Sequence, residues 1–231
     1  MCTSIVSNRN KTIVGWNLDL LNMEHRVSVS DAAVAIEVYD PTEGWLPLFG
    51  ANRRGDFVGM PTCWPFDARS DPDGSAGAEN VILLDIDLLT GKRTLGEIRA
   101  VAEAGRVCSV PGVTYMSALS DADGNVLHVI PGQGVKYYER PVRQVLTNFS
   151  PFKMDAERHP WMGWDRYRTA DRMLAAASDD FDVADCFAVL RAVAQEVCPT
   201  VVSMVYDVTA RRVFWCEDRQ WDRVNEKQFE K

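Results

Sequence analysis

The first nineteen residues constrain this chain most, because they place a cysteine at the end of a predicted sheet. Cys2 directly follows the initiator methionine, and residues 3–7 and 12–16 are two β-branched runs around a polar turn at 8–11. Such runs favour β-strands, and the turn between them predicts a hairpin. The hairpin would hold the N-terminus in a sheet instead of leaving it to fray. Asp19 comes just after the second strand, where it can return towards the N-terminus.

A cysteine in this position has a specific chemical use. Removal of Met1 would leave Cys2 with a thiol and a free α-amine on one residue. The thiol is a nucleophile, and the amine, with a reference pKa of about 8, can serve as its base without a histidine. A cysteine also occurs at the second position by chance, so its neighbours decide between the two interpretations.

Three blocks of sequence carry a family resemblance. They are CTSIV at residues 2–6 with NLD at 17–19, VLTN at 145–148, and DRYRTA at 165–170. In order and rough spacing they resemble the N-terminal-nucleophile amidases that act on linear C–N bonds. That family includes choloylglycine (bile salt) hydrolases, penicillin V acylase, acid ceramidase and N-acylethanolamine acid amidase.

The resemblance implies a fold and an activity. Strands followed by helices and then strands predict an α+β layered domain, and the resemblance specifies the four-layer αββα sandwich, with residues 1–231 as a single domain. It implies hydrolysis of an N-acyl amide through a Cys2 thioester, with methionine removal as the only maturation step. A bile-salt-like, N-acylethanolamine-like or acyl-amino-acid substrate is equally compatible. An acyltransferase and a catalytically degenerate binding protein on the same scaffold are the alternatives.

The same resemblance assigns four catalytic residues. Cys2 would attack the amide, Asp19 would accept a hydrogen bond from its α-amine, and Asn148 would donate an amide N–H to the oxyanion. Arg166 would supply positive charge that lowers the thiol pKa. Taken singly, such an Asn or Asp is typical of a turn and such an Arg of a solvated surface. Taken as an ordered set with Cys2, they favour the catalytic interpretation.

Two positions depart from the family pattern. Trp16 stands where the family has an arginine, and an indole cannot replace a guanidinium. In the best match to the family's oxyanion segment, Pro61 follows Met60 and offers no N–H. These changes are compatible with an amidase that has a more apolar pocket, and also with a scaffold that has lost activity.

Four residues are predicted to bind substrate. Trp16 and Met60 lie at the two departures, Trp64 begins a long loop at 62–80, and Phe149 begins another at 149–164. Long loops often form lids or pocket walls. Trp64 and its neighbours are equally consistent with ordinary packing.

Composition excludes several other classes of function. The 231 residues carry a net charge of −8 without a basic cluster, so nucleic-acid binding has no electrostatic footprint. No apolar run reaches membrane-span length, and a cytoplasmic location is the default expectation. The six cysteines form no C-x-x-C pair, so neither a metal nor a disulfide framework is indicated. We expect no cofactor and a small-molecule N-acyl amide as the partner; homo-oligomers are common among the relatives.

The remaining periodicity predicts further elements and a loose tail. Helices are expected at 80–89, 94–105, 165–177 and 181–197. The apolar run at 80–89 suits either a strand or a helix, and the family resemblance favours a helix. A capping box precedes the second helix, and Asp182 is expected to cap the fourth. Strands are expected at 26–30, 33–39, 45–49, 56–60, 113–119, 126–130, 134–138, 143–147, 200–208 and 212–217. The charged residues 219–231 are expected to be solvated and flexible.

Overall fold

Two large antiparallel sheets and four helices form the described chain, which in this computed structural model comprises residues 1–71, 74, 76–152 and 162–230. Parts of the two long loops predicted at 62–80 and 149–164 lie outside these residues. The strands are β1 Cys2–Asn8, β2 Thr12–Asp19, β3 His25–Val29, β4 Ala33–Asp40, β5 Gly44–Asn52, β6 Phe57–Gly59, β7 Glu79–Asn80, β8 Val107–Cys108, β9 Ser117–Ser120, β10 Val126–Ile130, β11 Gly134–Tyr138, β12 Arg143–Leu146, β13 Thr200–Asp207, β14 Arg212–Glu217 and β15 Asn225–Gln228. The helices are α1 Val81–Leu89, α2 Leu95–Glu103, α3 Trp164–Ala176 and α4 Val183–Ala192.

The first sheet has the strand order β12-β1-β2-β13-β14-β15 and holds the N-terminus in its interior. In the predicted β1–β2 hairpin, Cys2 pairs with Leu18 and Asn8 with Thr12. Every residue of both strands is buried. Because successive side chains of a strand point to opposite faces, the sheet must be covered on both sides around the N-terminus.

The second sheet has the order β11-β10-β9-β6-β5-β4-β3 and lies against the first. One apolar cluster contains Trp16 and Met204 from the first sheet together with Ile36 and Phe49 from the second. Cys2 belongs to the same cluster, so the side chain at the start of β1 faces the second sheet.

The helices pack in two pairs, each against one of the two sheets. Leu84 of α1 and Ile98 of α2 share a cluster with Leu127 of the second sheet. Leu174 of α3, with α4 beside it, shares another cluster with Ile5 of the first sheet. The mixed α+β character predicted from the sequence is confirmed. None of the described helices is both long and apolar enough to cross a membrane.

Local sequence signals explain where two of the helices begin. Thr94 accepts a hydrogen bond from the Glu97 N–H, and the Glu97 carboxylate accepts one from the Thr94 N–H, so the predicted capping box is complete. Asp182 caps α4 through the N–H groups of Ala184 and Asp185. Both features satisfy N–H groups that have no partner inside the helix.

Three predicted elements are wrong in extent. The strand predicted at 113–119 is reduced to Ser117–Ser120. The helix predicted to reach 197 ends at Ala192, because the chain then turns back towards β2 through bonds between Gln195 and Thr200. The tail is exposed at most positions but not without structure, since β15 pairs with β14 and Phe229 is buried.

Candidate active site

The β1–β2 hairpin brings the N-terminus and Asp19 side by side. The Met1 amine donates a hydrogen bond to the Asp19 carbonyl oxygen at 2.8 Å, and the Asp19 N–H donates to the Met1 carbonyl oxygen at 3.0 Å. At the other end, the Thr12 hydroxyl donates to Asn8 Oδ1 and braces the turn. The strand register therefore places Cys2 beside Asp19, as the sequence predicted.

Arg166 connects the start of β1 to the helix α3. Its Nη1 donates to the Cys2 carbonyl oxygen at 2.6 Å and to Thr3 Oγ1 at 2.8 Å, and its Nη2 donates to Asn148 Oδ1 at 2.8 Å. The side chain is only 5% exposed. Gly163, before α3, has φ +89°, and a Cβ there would lie 2.4 Å from Arg166 Nη2. A glycine at this position thus leaves room for the arginine to reach Cys2.

Asn148 lies at the end of β12, which pairs with β1, and its side chain is fully buried. Its Oδ1 accepts from the Cys2 N–H at 3.0 Å as well as from Arg166. Its Nδ2 donates to Thr62 O at 2.9 Å and to Thr62 Oγ1 at 3.0 Å. The sequence predicted that this amide N–H serves the oxyanion. That role stays a prediction; the structure shows that Asn148 holds the Cys2 nitrogen and gives its N–H groups to Thr62.

The carboxylate of Asp19 is enclosed by donors from distant parts of the chain. Oδ1 accepts from the Thr200 hydroxyl at 2.6 Å, Oδ2 accepts from Gln195 Nε2, and Arg166 Nη1 lies 3.8 Å from Oδ2. The Met1 amine contacts the main chain of Asp19, not this carboxylate. Sequence reasoning missed Gln195 and Thr200, because no local motif links them to a residue more than 170 positions away.

Burial dominates the protonation equilibria of the site. It raises the pKa of the Cys2 thiol to about 11, against the opposing effects of the N-terminal ammonium and Arg166. It also raises the pKa of Asp19 to about 6, although Arg166 and Thr200 oppose the shift. With Met1 in place, the thiol is therefore protonated at neutral pH, and Cys2 has no free amine of its own.

Comparison with known structures identifies the architecture. Conjugated bile acid hydrolase from Clostridium perfringens, solved as a mutant, superposes with a TM-score of 0.68 and 12% identity over 99% of this chain and 92% of its own. Penicillin V acylase from Agrobacterium tumefaciens gives 0.69 and 15% over 99% and 86%. A Caenorhabditis elegans orthologue of N-acylethanolamine-hydrolyzing acid amidase gives 0.59 and 19% over 90% and 93%. The fold is that of the N-terminal-nucleophile amide hydrolases.

The resemblance stated from the sequence motifs is thereby confirmed as a likeness of fold. No protein-family profile matches the sequence, and no curated protein matches it either. Three short blocks of sequence thus indicated the N-terminal-nucleophile fold, although the proteins named above are at most 19% identical to this chain.

On this amide-hydrolase fold, the four predicted substrate-binding residues take different positions. Trp16 and Met60 are 0% and 2% exposed and pack in the cluster that contains Cys2. Phe149 is also buried and packs edge-on against Trp164. Of the four, Trp64 alone is substantially exposed, and its Nε1 donates to Thr62 Oγ1. Three of the four therefore act as packing residues, and only Trp64 has surface to offer a ligand.

An apolar groove adjoins the N-terminus of this amide-hydrolase fold. Its volume is about 520 Å³, and its lining comprises Leu20, Leu21, Asn22, Met23, Glu24, His25, Trp45, Pro199 and Val201. Leu20 directly follows Asp19, and both Leu20 and Val201 pack against the cluster that contains Cys2. Leu21 and Met23 are exposed. The groove is a surface that sequence analysis did not single out.

The groups available for chemistry at the N-terminus are a thiol, a carboxyl, an amide and a guanidinium. Within the described residues, no three His, Cys, Asp or Glu side chains are grouped so that they could hold a metal ion. Cys2 at this site and Cys198 near it are free thiols. The candidate site is therefore built from Cys2, Asp19, Asn148 and Arg166.

Proposed function

We propose that this protein is a cysteine N-terminal-nucleophile amidase that hydrolyses an N-acyl amide through a Cys2 thioester. The observation that carries the proposal is the set of contacts around Cys2. Its nitrogen is bound by Asn148 and its carbonyl oxygen by Arg166. Asp19 lies beside both the N-terminus and Arg166. Motifs separated by more than 100 residues thus meet at the main chain of one cysteine.

Removal of Met1 would convert the Cys2 nitrogen into an α-amine 3.0 Å from Asn148 Oδ1. This amine would take the thiol proton, and the thiolate sulfur would attack the amide carbon. The C–N bond then breaks, the leaving amine departs with that proton, and the acyl group remains on Cys2. Water, deprotonated by the same amine, cleaves the thioester and releases a carboxylic acid. Arg166 would orient Cys2 throughout by holding its carbonyl oxygen.

We assign the acyl chain of the substrate to the groove that begins at Leu20. An apolar lining suits an acyl chain, because burying methylene groups is favourable by about 0.8 kcal/mol each. Glu24 and His25 in its lining offer polar contacts. Trp64 is the predicted substrate residue that keeps its exposed surface. The proposed substrate class is an amide with an apolar acyl group and a small polar amine.

One set of observations favours a second candidate, a binding protein on the same fold. Trp16 places a neutral ring in the apolar cluster that contains Cys2, stacked on Phe49 with 5.4 Å between ring centroids. Pro61 has no N–H, and Asn148 gives both of its N–H groups to Thr62. An amidase needs oxyanion donors, whose loss typically lowers rates by about 10²–10³. This candidate predicts acyl-chain binding without turnover.

The test compares the wild type with Cys2→Ala on a panel of N-acyl amides that varies acyl length. Release of the amine by the wild type and its absence in Cys2→Ala, together with acid-stable acylation of Cys2 in peptide maps, would support the amidase. Cys198→Ser is the matched control, because that thiol lies 3.8 Å from the Met1 amine without being the proposed nucleophile. Turnover that survives in Cys2→Ala would rule the proposal out.

We also propose that the chain is a single domain in the four-layer αββα arrangement. The supporting observations are three apolar clusters: one joins the two sheets, one joins α1 and α2 to the second sheet, and one joins α3 and α4 to the first. A single cooperative unfolding transition followed by several probes is the expected result.

A further inference from the structure

The loop after α4 contributes two donors to the buried carboxylate at the N-terminus. Thr200 Oγ1 donates to Asp19 Oδ1 at 2.6 Å, and Gln195 Nε2 donates to Asp19 Oδ2. Asp19 is 0% exposed, so no solvent replaces these donors. A buried carboxylate that loses a hydrogen bond is strongly disfavoured in its charged form.

Two hydrogen bonds between Gln195 and Thr200 close the loop and hold both residues in place beside Asp19. The Gln195 N–H donates to Thr200 Oγ1 at 2.9 Å, and the Thr200 N–H donates to the Gln195 carbonyl oxygen at 3.1 Å. The Thr200 hydroxyl therefore accepts from Gln195 through a lone pair and donates its single hydrogen to Asp19. The Leu20 N–H donates to Pro199 O at 3.2 Å and ties the loop to the end of β2.

Few charged groups of the described chain face Asp19 from the elements packed around it. Arg166 of α3 lies 3.8 Å from Oδ2. From β1, the N-terminal amine and the Cys2 thiol interact electrostatically with it. Cys198, from the loop itself, lies against the amine. Among the described residues, the two neutral donors therefore act beside a single cationic side chain.

We propose that Gln195 and Thr200 are positioning residues that keep Asp19 ionised and fixed beside the N-terminus, so that this loop controls the proton balance of the nucleophile. The effect on the nucleophile rests on the proposed amidase function, whereas the hydrogen bonds to Asp19 do not depend on it. An ionised Asp19 stabilises the protonated amine that forms when the thiol is deprotonated. A protonated Asp19 cannot do so.

The test follows the Asp19 carboxyl directly. Carboxyl ¹³C NMR of aspartate-labelled full-length protein, with the resonance assigned by Asp19→Asn, gives its titration midpoint. We expect Thr200→Val and Gln195→Leu each to raise this midpoint by about one to two pH units, since a hydrogen bond to a charged group and one pKa unit have similar free energies. Thr200→Ser, which keeps the hydroxyl, should restore the wild-type midpoint.

The matched control is Thr12→Val, at the other end of β2. Thr12 is also buried and its hydroxyl also donates, but to Asn8. An unchanged midpoint in both loop variants, or an equal shift in Thr12→Val, would overturn the proposal. Should Thr200→Val fail to fold, Gln195→Leu alone decides, because Gln195 is only half-buried.

Activity provides a second and separable measurement. With a substrate found for the wild type, the acid limb of kcat/KM against pH should move up in the loop variants by the same amount as the NMR midpoint, with KM unchanged. An acid limb that stays in place while the midpoint shifts would contradict the control of the nucleophile. If the wild type hydrolyses no N-acyl amide, the proposed function fails, while the carboxyl titration still decides the role of the loop.

Discussion

Replacing Asp19 with asparagine should make the protein more stable at neutral pH. Burial raises the pKa of Asp19 from 3.8 to about 6, so the folded state favours the protonated carboxyl. The stabilising effect of that proton is complete below about pH 4 and is lost as the pH rises to about 6. A difference of about two pKa units corresponds to ~3 kcal/mol. The amide introduced by Asp19→Asn is neutral at every pH, so the variant avoids this loss.

The assay is urea unfolding of the wild type and Asp19→Asn between pH 4 and pH 8. The free energy of unfolding of the variant, minus that of the wild type, should rise by ~3 kcal/mol between pH 4 and 6 and then stay constant. Asp85→Asn is the positive control, because burial also raises the pKa of Asp85, in α1, well above its ordinary value. A difference that is flat, or that falls with pH, would refute the reasoning.

Three other substitutions test the packing and the contacts of the site. In Gly59→Ala the new Cβ would lie 2.6 Å from two ring carbons of Trp16, so we expect a loss of about 1–3 kcal/mol in urea unfolding; an unchanged midpoint would argue against this packing. Arg166→Lys keeps the positive charge but loses the guanidinium fork. Alkylation of Cys2 in Met1-free protein should therefore slow on the order of tenfold. Equal alkylation rates would show that the charge alone is sufficient to activate the thiol. Thr94→Ala removes half of the capping box and should lower the free energy of unfolding by about 1 kcal/mol, measured by thermal or urea unfolding. An unchanged free energy of unfolding would contradict this prediction.

Local signals were sufficient to predict much of the fold. The β-branched runs and polar turn predicted the β1–β2 hairpin, and the Thr94 and Asp182 caps predicted the starts of α2 and α4. The wrong boundaries lie where tertiary contacts override local preference. Helix α4 stops early because Gln195 bonds to the Asp19 carboxylate, and the charged tail orders because β14 offers it a free edge.

The sequence motifs predicted which residues lie together at the candidate site, but not their hydrogen bonds. The motifs indicated Cys2, Asp19, Asn148 and Arg166, and the structure brings these four together. The hydrogen-bond partners of each depend on side-chain direction, which spacing does not fix. The bond from Asn148 to Thr62, for example, is not indicated by either motif.

The packing of the aromatic residues was equally hard to foresee. Trp16 was expected at a substrate surface because it replaces a family arginine, yet Gly59 leaves room for its ring inside the core. That space is created by a residue more than 40 positions away, on the facing sheet. The groove beyond Leu20 was missed for a related reason, because Trp45 and Pro199 meet there only in the folded chain.

The most direct test of the central claim is the intact mass of the native protein after brief treatment with limiting iodoacetamide, with the labelled thiol mapped. The account predicts loss of Met1 and a label on Cys2, with little on Cys198, the one thiol that is not buried. Retention of Met1, or a label on Cys198 with Cys2 untouched in Met1-free protein, would contradict the claim that Cys2 is an activated N-terminal nucleophile.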